Sequence, residues 1–71
     1  MLIIEPGGLY KTRDNKLAKV YAIYNNQEYC IHGAILRNGV WYATVWRKHG
    51  KACLKGKHDT DIVKEANDET P

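Results

Sequence analysis

Residues 29–46, YCIHGAILRNGVWYATVW, decide the fold. Two runs rich in β-branched and aromatic residues flank Asn38-Gly39. Asn-Gly between such runs predicts a two-residue type I′ hairpin, because both turn positions need positive φ and these residues adopt it at least cost. A tight turn fixes register, and register decides which side chains share a face. With Asn38-Gly39 as the loop, Arg37 faces Val40, Ile35 faces Tyr42, Gly33 faces Thr44 and Ile31 faces Trp46. The other parity pairs Leu36 with Trp41, Ala34 with Ala43, His32 with Val45 and Cys30 with Arg47.

Outward from this hairpin the chain reads as further short strands divided by turn signals. Residues 9–13 and 17–24 are strands around an Asp14-Asn15 turn. Residues 25–28 form a polar loop, which pairs Tyr24 with Tyr29, Ala22 with Ile31, Val20 with Gly33 and Ala18 with Ile35. Residues 51–54 and 60–64 are two further short strands, and residues 1–4 are a strand or a docking arm. No segment sustains a 3.6-residue apolar repeat; a helix from Asp61 onward is the local alternative. The fold expected is all-β: a single small antiparallel meander, a curled sheet or an SH3-like barrel of about five strands. Residues 1–64 form this one domain, and residues 65–71 a flexible acidic tail.

The size fits one domain, since 71 residues lie near the lower limit for a self-sufficient core. Phe is absent, so five Tyr and two Trp supply the large side chains, and their polar tips favour the core's rim or a contact surface. The net charge of +3 is too modest to imply nucleic acid by itself. No run approaches the roughly 18 apolar residues of a membrane span, and MLIIEPGG lacks the basic flank of a signal peptide. The location expected is therefore cytoplasmic, with Cys30 and Cys53 as free thiols.

The register sorts the sheet into two faces. Face one, assigned to the core, holds Ala18, Val20, Ala22, Ile31, Gly33, Ile35, Tyr42, Thr44 and Trp46, with Gly33 leaving room for a neighbouring ring. Face two holds Leu17, Lys19, Tyr21, Ile23, Cys30, His32, Ala34, Leu36, Trp41, Ala43, Val45 and Arg47. A half-exposed sheet face normally alternates to polar residues more cleanly. Face two is therefore covered by the N-terminal arm and last strand, or it is a binding or dimer surface.

Catalytic and metal chemistry find little purchase. Cys30, His32, His49, Cys53 and His58 lack the spacing of a zinc site. A Cys30–Cys53 disulfide conflicts with the register. Cys30 and His32 share a face but stand about 7 Å apart along a strand, too far for direct nucleophile activation. The chain reads as no enzyme, with no cofactor and no metal. A nucleic-acid surface is a stronger rival: Arg47, Lys48, Lys51, Lys55 and Lys57 crowd behind Trp41, Tyr42 and Trp46, and basic loops beside aromatics bind single strands.

The order Leu9-Tyr10-Lys11-Thr12-Arg13-Asp14, then Ile31-His32-Gly33-Ala34-Ile35, then Trp41 and Trp46 before Gly50-Lys51, then Asp59-Thr60-Asp61-Ile62-Val63 resembles a group of small phage and prophage proteins. Those carry a Tyr-x-Thr-Arg-Asp-Gly start, a Pro-Ile-x-Gly strand, a Trp before an Asp-Gly-Arg turn and an Asp-Leu-Val ending. This chain departs with Asn15 for Gly, Cys30 for Pro and His49-Gly50-Lys51 for Asp-Gly-Arg, changes that keep turn chemistry or charge. The resemblance covers residues 9–64 and carries no catalytic residue over. It implies a phage-derived accessory protein in the bacterial cytoplasm that binds and inhibits a host protein. The residues expected to carry such binding are Tyr21, Leu36, Trp41 and Arg47, because large aromatics and Arg anchor interfaces. Self-association as a two-fold dimer is a further expectation.

Overall fold

The structure, a computed structural model, describes residues 2–66. Five strands form one antiparallel sheet: β1 (Leu9–Thr12), β2 (Leu17–Ile23), β3 (Ile31–Arg37), β4 (Val40–Trp46) and β5 (Ile62–Glu65). A 3₁₀ turn, Lys48–Gly50, follows β4. The spatial order is β4-β3-β2-β1-β5. β1 to β4 are thus a meander, and β5 returns to pair with β1. The two edges, β4 and β5, do not pair, so the sheet curls without closing into the SH3-like barrel that was one expected form.

The central hairpin forms as its turn residues dictate. Asn38 and Gly39 take φ 51° and 78°, the two positive values a type I′ turn requires. Seven of the eight expected β3–β4 pairs are present, from Arg37↔Val40 to Ile31↔Trp46, and the eighth, Cys30 with Arg47, is not. The first hairpin turns differently, with Asn15 alone of its loop residues at positive φ, 67°, and the Thr12 hydroxyl accepting from the Lys16 amide at 2.9 Å.

The β2–β3 pairing departs from expectation beyond Val20. Ala18↔Ile35 and Val20↔Gly33 are as expected, but a bulge follows and the ladder resumes as Ala22↔His32 and Ile23↔Ile31. One extra residue in β2 reverses its parity. Ala22 therefore leaves the core face and Ile23 enters it, packing against the core cluster. Tyr24 donates its amide to Cys30 rather than pairing with Tyr29. Gly33 is required by backbone, not by a ring: a Cβ there would lie 1.9 Å from the Lys19 carbonyl oxygen.

The core lies inside the curl and comprises Tyr10, Ala18, Val20, Cys30, Ile31, Ile35, Trp46 and Ile62. Trp46 is fully buried, and its indole N–H donates to the Thr60 carbonyl at 2.7 Å. That bond ties the end of β4 to the segment entering β5. Asp61 secures the same segment. Its carboxylate accepts from the Ala52 amide at 2.7 Å, the His58 amide at 3.0 Å and the Arg13 guanidinium at 3.0 Å. Burial alone would raise the Asp61 carboxyl, but the two amides and Arg13 outweigh it and hold it below the usual carboxylate range. The N-terminal arm also packs inward: Leu2 and Ile4 touch the core cluster, and the Tyr10 hydroxyl accepts from the Glu5 amide at 2.7 Å.

Several expectations are corrected at the margins. Tyr42 is not core: it is 53% exposed, because the curl stays open beside it, where Ile35, Tyr42, Thr44 and Thr60 line a groove of about 410 Å³. Cys30 precedes β3 and is buried in the core rather than lying on face two. Arg47 is not its partner and instead bridges to Lys51 across the 3₁₀ turn. Residues 51–54 form no strand beyond that single bridge. The last strand runs through Glu65, and Ala66 is buried with its amide on the Leu9 carbonyl. Residues 65 and 66 therefore belong to the folded domain and not to the tail expected from residue 65, and residues 67–71 lie outside the described residues.

Candidate functional site: the outer sheet face

The convex face of the sheet has no covering layer among the described residues. Of the two expected covers, the arm packs inside the curl and the last strand lies at the sheet's edge beside β1, so neither covers this face. The outer side chains stand in cross-strand rows set by the ladders. One row runs Lys11, Leu17, Leu36, Trp41; the next runs Leu9, Lys19, Ala34, Ala43; a third runs Ala22, His32, Val45. Tyr21 projects beside the third row at the bulge.

Trp41 is 38% exposed, Tyr21 56% and Val45 40%; Leu17 and Leu36 are half-buried. Ala34 is buried although it is on the outer face. Its methyl sits low between taller neighbours, one of which is Lys19. The Lys19 ammonium reaches across β3 to lie 4.1 Å from the Trp41 ring centroid and 5.6 Å from that of Tyr21. A cation held between two aromatic faces fixes both rings while leaving them accessible. Toward the other end of the face, His32 meets the Tyr24 ring edge-on at 5.1 Å.

Of the four residues expected to bind a partner, Tyr21, Leu36 and Trp41 come together and Arg47 does not. Arg47 lies one residue past β4, about 20 Å along the strand from Trp41. It pairs with Glu28 and stacks 5.2 Å from the Tyr29 ring. Lys19 and Val45 take its place in the patch. Lys19 sits on face two by register, but only the geometry shows its ammonium drawn onto Trp41.

The basic residues divide. Arg47, Lys48 and Lys51 line a groove of about 320 Å³ with Glu28, Cys53 and Leu54. Glu28 occupies Arg47, and the Lys51 ammonium donates to the Gly56 carbonyl at 3.0 Å. Lys55 and Lys57 are exposed on the following loop. Trp46, one of the aromatics expected beside them, is buried, and Trp41 and Tyr42 lie toward the opposite end of β4. The thiols of Cys30 and Cys53 are free. The described residues contain no helix long and apolar enough to cross a membrane.

No protein-family model matches the chain, and no curated protein or solved structure matches it.

Proposed function

We propose that this protein is a non-enzymatic binding domain that docks onto another protein through the outer face of its sheet. Its resemblance to small phage and prophage proteins makes the partner a bacterial host protein in the cytoplasm, whose activity the docking inhibits. The observation that supports this reading is the uncovered patch of Tyr21, Leu36, Trp41 and Val45, with Lys19 bracing the rings. A one-layer sheet gains nothing in solubility from a Trp, a Tyr and a Val on its wet side. A partner that desolvates them gains a hot-spot cluster already ordered before contact.

Affinity capture from bacterial lysate tests it, run with and without nuclease and with folded variants alongside wild type. Trp41→Ala and Leu36→Ser should each abolish capture of a protein that survives nuclease treatment. Capture unchanged by both variants defeats the reading. Capture lost to nuclease, and lost again in a Lys48→Glu/Lys57→Glu variant, moves the function to the basic loops. Such binding would weaken steeply with salt.

A further inference from the structure

The two edges of the sheet are built differently. β5 is four residues long, carries Lys64 and Glu65, and pairs with β1 across a bulge. Short length, charge and irregularity are the ordinary guards of an edge strand. β4 has none of them. It runs seven residues, VWYATVW, without a charge, a proline or a bulge. Ala43, Trp41 and Val45 are all exposed along it.

The hairpin turn settles which backbone groups this edge offers. Residues flanking a two-residue loop exchange both ladder bonds, so Val40, Tyr42, Thr44 and Trp46 point their N–H and C=O groups at β3. Trp41, Ala43 and Val45 point theirs away from the sheet. Among the described residues, no backbone bond outside the β3 ladder reaches these three.

We infer that β4 pairs with β4 of a second copy of this chain, antiparallel, about a two-fold axis through Ala43. That axis sets Ala43 against the partner's Ala43, Trp41 against the partner's Val45, and Val45 against the partner's Trp41. These are the residues whose backbone groups face outward, so each outward N–H meets an outward C=O. The side chains also match in size. On the outer face each Trp meets a Val and the alanines meet at the axis, and on the inner face Tyr42 meets the partner's Thr44. Aromatic against β-branched is a favoured cross-strand pair. A strand that complements itself under rotation suits a second copy better than an unrelated peptide, and two-fold pairing closes without leading to a fibre. The two sheets become one, and the outer patches of both copies join across the seam.

Sedimentation over a concentration series, with amide hydrogen exchange, tests this. Wild type should sediment at twice the 8.1 kDa chain mass, with the Trp41, Ala43 and Val45 amides protected in step with the dimer. Ala43→Pro removes an outward N–H that no intrachain bond uses. Ala43→Lys places two like charges together at the axis. Both should return the chain mass, and Ala43→Lys should melt as wild type does when diluted to the monomer, without the rise in melting temperature with concentration that a dimer shows. A wild type that stays monomeric up to about 1 mM, or a dimer that survives Ala43→Lys, overturns the inference. So does protection of the β4 amides that appears only when a lysate partner is added, which would make the occupant another protein. Neither variant alters Tyr21, Leu36 or Trp41, so failure here leaves the outer-face reading to its own test.

Discussion

Trp46 and Trp41 share one strand and meet opposite fates. Trp46 is fully buried with its indole N–H bonded to Thr60, whereas Trp41 is 38% exposed with the Lys19 ammonium lying over it. Strand parity explains why they face opposite sides. It does not explain the burial, because Tyr42 shares Trp46's side and is still 53% exposed. Burial follows closure. The arm and the segment entering β5 fold over the Trp46 end of the curl and leave the hairpin tip open. The same residue type is therefore a structural pin at one place and an available contact at the other.

The sharpest way to break that contrast is to remove the pin. Trp46→Ala should cost about 3–5 kcal/mol, the usual range for a buried Trp. A domain of this size has only about 4–10 kcal/mol in total. Urea unfolding should show a variant near the edge of folding at 25 °C. A loss below about 1 kcal/mol would mean that the closed end contributes no more than the open one.

The next effect belongs to Asp61, which holds the closing segment without any apolar surface. Asp61→Ala strands the amides of Ala52 and His58 and takes the carboxylate from Arg13, which keeps its bond to the His58 carbonyl. The expected cost is about 3 kcal/mol. The carboxyl also makes closure sensitive to acid. Its folded pKa is lowered, so its stabilisation is fully present above the unfolded value of about 3.9. It is lost as pH falls through the folded pKa. Melting curves of wild type should fall across that acid window more steeply than those of Asp61→Ala. Parallel curves for the two proteins would remove Asp61 from the account.

The sequence made the open end far more legible than the closed one. Asn38-Gly39 specifies its turn, and a seven-pair ladder follows from counting outward, because hairpin register is a local property. The same counting failed on β2 after Val20, where the bulge inserts a residue that no side-chain pattern announces. Ile23 then exchanged faces with Ala22. Closure was illegible for a different reason. Asp61 reads as an ordinary turn carboxylate until Ala52, His58 and Arg13 are seen to converge on it, and Arg13 is distant in the chain. Whether face two was covered depended on the path of the arm. That path rests on the Tyr10 hydroxyl and on Leu2 and Ile4 meeting the core.

The smallest stability effect should come from Trp41, and its smallness is what separates site from scaffold. Trp41→Ala removes a ring that is 38% exposed and its cation–π contact, together worth about 2 kcal/mol. A double-mutant cycle with Lys19→Met isolates the pair, with an expected coupling of about 0.5–1 kcal/mol. A cost as large as that of Trp46→Ala would show that the ring supports the sheet, and the outer patch would then be scaffold. A cost of about 2 kcal/mol beside a full loss of partner capture separates the two tryptophans by role. One side chain then holds the curl shut, and the other is left for contact on the face the curl does not cover.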